Sequence, residues 1–108
     1  MLGAGRQGTA AAFDLVTRGD ATSVAFGDAD TDRAGAAAAR VNALTGTVAA
    51  HSATVDASEP QAVTAFLEDA DAAVSAVPYW LNLGVSRAAL SARTHVCDLG
   101  GNMKVVRA

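Results

Sequence analysis

Gly3, Gly5 and Gly8, with Ala4, Arg6 and Gln7 between them, make a Gly-x-Gly-x-x-Gly turn at the very start of the chain. This spacing suits one task, bringing bare main chain against a diphosphate. The first glycine permits a tight turn after a strand, the second lets the backbone approach a pyrophosphate, and the third lets the next helix pack closely on the sheet. The phosphates then rest on the unpaired N–H groups and positive dipole end of that helix, so no dedicated lysine is needed. Arg6 leaves the same turn, either solvated or in contact with a phosphate or ribose.

A glycine triplet alone is weak evidence in a chain rich in alanine and glycine, so its context matters. Ser23 to Phe26 reads as a short buried strand, and Asp28 follows it about twenty positions beyond the third glycine, where a ribose-binding carboxylate belongs. Such a carboxylate accepts from the 2′- and 3′-hydroxyls and repels a 2′-phosphate, which favours NAD over NADP. Arg33 is the counterweight, because a guanidinium nearby can reach a 2′-phosphate; otherwise it is a surface helix arginine. Asp56, after the next strand candidate, either touches adenine or is a solvated loop aspartate. Val77 and Pro78 end a later strand and are expected near the nicotinamide ribose. Tyr79 and Trp80 either line a substrate cleft or belong to a surface covered by another domain, the second being preferred.

These residues need a scaffold, and the patterning supplies one. Thr9 to Arg18 is a helix candidate stopped by Gly19-Asp20. Asp30-Thr31 can cap a helix whose Ala34, Ala37, Ala38, Val41 and Leu44 form one buried stripe, with Gly46 ending it. Val48 to Val55 is a polar-interrupted strand suited to a sheet edge. Ser58 to Gln61 has capping-box spacing with a proline in the first turn, followed by Val63, Phe66 and Leu67. Ala72 to Val77 reads as a strand buried on both faces. A helix from Asn82 to Ala92 is expected to turn Leu83, Ala88, Ala89 and Leu90 to the sheet, and Thr94 to Leu99 is a last strand broken by Gly100-Gly101. Alternating strands and helices define an α/β protein of Rossmann type, a doubly wound parallel sheet with helices on both faces, in the order 3-2-1-4-5. Its first strand is largely missing, since only Met1 and Leu2 precede the glycines.

The 108 residues suffice for one domain with a modest core, and much of the 51% hydrophobic content is alanine, which buries little area per residue. A net charge of −3 without a basic cluster argues against nucleic acid as a partner. The sequence has neither a membrane-length apolar run nor a signal-peptide layout, and a cytoplasmic location is expected. Cys97, the single cysteine, reads as a buried strand residue rather than a nucleophile, and with His51 and His95 it has no metal-ligand spacing. No set of nucleophile, base and orienting group can be drawn, so catalytic residues are unassigned.

Three segments taken together, Leu2 to Gly8, Ser75-Ala-Val-Pro-Tyr-Trp80 and Val96-Cys-Asp-Leu-Gly-Gly-Asn102, resemble the N-terminal NAD(P)-binding domain of the saccharopine dehydrogenase family, with lysine 6-dehydrogenase-like members nearest in pattern. The resemblance implies a pyridine-nucleotide oxidoreductase that oxidises a C–N bond of a lysine-related amino acid, with a second domain supplying most substrate contacts. It implies that Asp98 and Asn102 lie beside the nicotinamide and orient cofactor or substrate amine. It also implies a fragment, a single domain over 1–108 truncated at both ends, of low stability and inactive by itself, whose oligomeric state is open. A nucleotide-sensing regulatory domain without catalysis is the competing expectation, and a degenerate remnant the third.

Overall fold

The computed structural model describes residues 1–99, in which four parallel-strand segments alternate with helices. The order is α1 (Arg6–Thr17), β1 (Val24–Asp28), α2 (Thr31–Thr45), β2 (Ala50–Thr54), α3 (Pro60–Leu67), β3 (Ala72–Ser75), a 3-10 turn (Tyr79–Leu81), α4 (Asn82–Ala92) and β4 (His95–Asp98). β1 pairs in parallel with β2, and β3 with β4.

Leu2 joins these two ladders. It bridges Gly27 on one side and Ser75 on the other, in parallel sense. Its N–H donates to the Val74 carbonyl at 2.9 Å, and its own carbonyl accepts from Ala76 N–H at 2.7 Å. On the other flank, Gly27 N–H reaches Met1 O at 2.8 Å and Gly3 N–H reaches Gly27 O at 2.8 Å. Met1, Leu2 and Gly3 therefore occupy the central lane of the sheet, and the lateral order β2, β1, leading segment, β3, β4 is the 3-2-1-4-5 order expected. The fold is Rossmann-like α/β, as anticipated.

Two apolar clusters lie on opposite faces. On one face, Phe26 and Val24 pack under α1 and α2 through Ala12, Ala34, Ala37, Ala38 and Val41. On the other, Leu2, Val55 and Ala73 meet Val63 and Leu67 of α3 and Val85, Ala88 and Ala89 of α4. The alanine stripe of α2 brings that helix close to the sheet. Asn42 adds a polar clasp, its side-chain amide donating to Ala50 O and its side-chain carbonyl accepting from Ala50 N–H, both at 2.9 Å. α2 starts on Asp30, whose carboxylate accepts from Arg33 N–H at 3.1 Å, and stops at Gly46 with φ +66°.

Several local expectations need correction. Leu44 is 58% exposed and Leu90 79% exposed, so neither faces the sheet. In helices rich in alanine the buried stripe is carried by small residues, and a leucine one step off it is left in solvent. The capping box at Ser58 does not form. The N-cap of α3 is Glu59 without a side-chain bond, because the Ser58 hydroxyl donates to Asp56 Oδ1 at 2.6 Å instead. β2 begins at Ala50, leaving Val48 outside it. β3 is less deeply buried than expected: Ala73 and Ser75 are buried and Val74 packs half-buried on the opposite face, but Ala72 at its start is exposed. Cys97 is exposed rather than buried, since β4 is an edge strand among the described residues and only the Val96 side of it meets the helices. Among the described residues, no helix is long and apolar enough to cross a membrane.

Candidate functional site

The carboxyl ends of the parallel strands all lie at one edge of the sheet, and α1 leaves that edge from the glycine turn. The three glycines occupy three different steric situations. Gly3 has φ +92°, and a Cβ there would meet Ala76 O at 2.8 Å, so the turn needs glycine twice over. At Gly8 a Cβ would collide with the carbonyl oxygen of Gly3, which fixes how closely α1 sits on the turn. At Gly5 an added Cβ would meet nothing within 4 Å. Nothing in the protein requires a glycine there. Its absent side chain keeps open the space at the N-terminus of α1.

Gly5 is the N-cap of α1, with extended backbone and no side-chain cap. The first helical bond runs from Thr9 N–H to Gly5 O at 2.9 Å, so the helix leaves the N–H groups of Arg6, Gln7 and Gly8 without partners inside it. Together with the dipole, these amides suit an anion at that end. A diphosphate fits this cradle: bare main chain at Gly5, unpaired helix amides, and the exposed Arg6 and Gln7 flanking it.

Asp28 ends β1 beside the turn and is only 6% exposed. Its Oδ2 accepts from Ala4 N–H at 2.9 Å and its Oδ1 from Asp30 N–H at 2.9 Å. Arg33 adds two further bonds, Nε to Oδ2 at 3.1 Å and Nη2 to Oδ1 at 3.3 Å. Burial pushes the Asp28 carboxyl up, but the Asp30 and Ala4 amides and then the Arg33 guanidinium outweigh it and hold it below its ordinary value. The same pair raises the Arg33 guanidinium, first through the hydrogen bond and then through the Asp28 charge. Asp28, the residue expected from the sequence to bind a ribose, thus stands at the end of β1 against the glycine turn. Its bonds to Ala4, Asp30 and Arg33 are what sequence reasoning did not see. The signal available was the five-residue offset from Asp28 to Arg33, which puts the arginine in the first turn of the next helix.

The remaining candidates fall at the same edge but not all in one cluster. Val77 and Pro78 follow β3 directly against the turn, the Val77 nitrogen lying 3.4 Å from the position of a Gly3 Cβ. Behind them, Ser75 hydroxyl donates to Asn82 Oδ1 at 2.9 Å, a buried pair that no sequence signal marked, which ties the end of β3 to the first residue of α4. Asp98 ends β4 in register with Ser75. Asp56 follows β2 and is exposed, its carboxyl held below the ordinary range by the Ser58 hydroxyl and then the Ser58 N–H. Tyr79 and Trp80 are exposed and meet edge to face, with centroids 5.4 Å apart. Asn102 lies outside the described residues. Among the described residues, no group of three His, Cys, Asp or Glu side chains is placed to hold a metal ion.

From the turn, a groove of about 890 Å³ runs between α1 and α2. Gly5, Arg6, Arg33 and Arg40 line it, with Phe13 and Leu44 at its apolar end. The exposed Leu44 and Phe13 thus both face this groove.

A parallel sheet wound on both faces, with a glycine turn opening on a helix N-terminus at its centre, defines a dinucleotide-binding α/β domain. Comparison with known proteins is specific about the lineage. The sequence model described as Saccharopine dehydrogenase NADP binding domain matches residues 1–107, and the chain belongs to that family. The fold is similar to that of apo histidine-tagged saccharopine dehydrogenase (L-Glu forming) from Saccharomyces cerevisiae, with a TM-score of 0.75 at 21% identity. The match covers 98% of this chain and 22% of that one, so the chain spans under a quarter of that enzyme's length.

Proposed function

We propose that this chain is the nicotinamide-dinucleotide-binding part of an amino-acid oxidoreductase, one that removes hydride from the amine-bearing carbon of a lysine-related substrate. The observation that carries the reading is the division of labour among the glycines: Gly3 and Gly8 are demanded by the fold, whereas Gly5 keeps open the space in front of the α1 amides. Membership of the family and the fold shared with the yeast saccharopine dehydrogenase support the reaction class. When bound, the nicotinamide supplies the hydride acceptor.

The chain's own residues position that cofactor. The N–H groups of Arg6, Gln7 and Gly8 hold the diphosphate, and Arg6 adds charge beside it. Asp28 and Arg33 stand at the adenosine ribose. Val77 and Pro78 border the nicotinamide ribose, and Asp98 sits beside the ring or the substrate amine, while Asp56 lies toward adenine. Asp28 alone would favour NAD, as expected from the sequence; its carboxylate is shared with Arg33, so coenzyme preference turns on that pair. The substrate amino acid contacts residues outside this segment.

Calorimetric titration of the chain with NADH and with NADPH tests the reading. Saturable one-to-one binding of at least one, abolished by Gly5→Val while the fold is retained by circular dichroism, is the expected outcome. Absence of binding for both coenzymes refutes it.

A further inference from the structure

Asn82, the first residue of α4, is 3% exposed, and its side-chain partner among the described residues is Ser75, itself 1% exposed. The Ser75 hydroxyl donates to Asn82 Oδ1 at 2.9 Å, so the oxygen end of the amide is used and the nitrogen end is not. Asn82 Nδ2 carries two N–H donors. No fully buried side-chain nitrogen or oxygen among the described residues lacks a partner, so this nitrogen, which has none there, reaches solvent. A side chain set so deeply, with its donors left over, is built to meet an acceptor that arrives from outside.

The sheet decides where that nitrogen opens. Ser75 ends β3, bridges Leu2 on one side and stands in register with Asp98 on the other. The chain from Ala76 to Leu81 leaves this carboxyl edge and returns to it, closed at its base by the bond between Ser75 and Asn82 and braced inside by Leu81 N–H donating to Pro78 O at 3.0 Å. Its start lies against the glycine turn, since a Cβ on Gly3 would be 2.8 Å from Ala76 O. Asp28 and Asn82 stand on opposite sides of the leading segment, one at the end of β1 and the other beyond the end of β3. A dinucleotide whose diphosphate rests at Gly5 and whose adenosine lies toward Asp28 therefore sends its other half toward Asn82. What that half carries beyond ADP-ribose is the nicotinamide ring, whose carboxamide oxygen is an acceptor.

We propose that Asn82 Nδ2 donates to the carboxamide oxygen of the nicotinamide ring, with Ser75 as the positioning residue that turns the amide nitrogen outward. The proposal rests on the dinucleotide reading above and names the group that holds the ring end of the coenzyme. A neutral donor suits a neutral carbonyl, and one such hydrogen bond is worth about fivefold in affinity.

The test compares each coenzyme with the same molecule lacking the ring, NADH with ADP-ribose and NADPH with 2′-phospho-ADP-ribose, on the full chain. In the isotopically labelled wild type the side-chain amide resonances of Asn82 are expected to shift with coenzyme and to stay unmoved with the ringless ligand. Calorimetry is expected to find the coenzyme about fivefold tighter than its ringless counterpart. The double variant Ser75→Ala/Asn82→Leu replaces the buried pair by apolar groups, which keeps the fold, and in it the two ligands are expected to bind within about twofold of each other. Ser75→Ala alone keeps the donor and is expected to lower stability while retaining most of the difference between ligands. Asn82 resonances that respond alike to both ligands, or a double variant that keeps the difference, overturn the assignment and leave the dinucleotide reading standing. Equal weakening of both ligands in the double variant does the same, because it marks a purely structural pair. A wild type that binds none of these ligands overturns both.

Discussion

Asp28 Oδ2 lies 2.9 Å from the Ala4 nitrogen, across 24 residues of chain, and this bond fastens the end of β1 to the centre of the glycine turn. The amide it satisfies is buried, and the helix N-terminus that follows depends on the turn's shape. Asp28→Ala should therefore destabilise the fold by about 1–3 kcal/mol, the usual cost of leaving a buried donor unpaired. Urea unfolding midpoints measure it; a change under about half a kcal/mol would show that the turn does not need this anchor. Because the folded carboxyl titrates below its ordinary value, its stabilisation is complete above the unfolded pKa, about 4, and is lost as pH falls through the lower folded one. The acid limb of the stability profile should flatten in Asp28→Asn.

The amino group of Met1 donates to Ala25 O at 2.8 Å within the sheet, and burial lowers its pKa from 8.0 to about 6. Between those values the unfolded chain binds more protons than the folded one, so stability rises with pH from 6 to 8. With the amino terminus free, the gain should approach roughly 2–3 kcal/mol, since a tenfold change in proton affinity is worth about 1.4 kcal/mol. Denaturant midpoints at pH values on either side of that window check the slope, and a flat profile would contradict the burial of that group.

Gly3 and Gly5 should respond oppositely to alanine. At Gly3 the positive φ and the Ala76 carbonyl make Gly3→Ala destabilising by about 1–3 kcal/mol. At Gly5 the backbone is extended with φ −78° and the space is open, so Gly5→Ala should leave stability within about 0.5 kcal/mol while weakening dinucleotide binding. Melting temperatures set beside coenzyme affinities separate the two effects. Equal loss of stability in both variants would remove the distinction.

Ser75 and Asn82 are both buried, and each serves the other's polar group. Ser75→Ala and Asn82→Ala should each cost about 1–3 kcal/mol, and the double variant less than their sum. A double-mutant cycle in urea reads the coupling directly; strict additivity would mean that the pair does not hold the turn after β3.

Much of the fold is legible in the sequence because its signals are local. The glycine turn, the Asp30 cap, the Gly46 stop and the spacing from Gly8 to Asp28 each follow from residue type and interval. The helix phases at Leu44 and Leu90 do not, since alanine-rich stretches give the period little contrast. Ser58 misleads because its hydroxyl donates to the nearby carboxylate of Asp56 instead of accepting from a helix N–H. The exposure of Cys97 depends on what covers the far side of β4, which no local pattern encodes. At the site, Asp28 is legible by position, whereas its saturation by Ala4, Asp30 and Arg33 arises only when three separate segments meet.

The central claim is that a dinucleotide lays its diphosphate against Gly5 and the first amides of α1. Amide chemical-shift mapping of the isotopically labelled chain during titration with NADPH or NADH tests this directly. The account predicts the largest saturable shifts at Ala4, Gly5, Arg6, Gln7 and Gly8, with smaller ones at Asp28 and Arg33. Shifts centred elsewhere on the molecule, with those five amides unmoved, would contradict it.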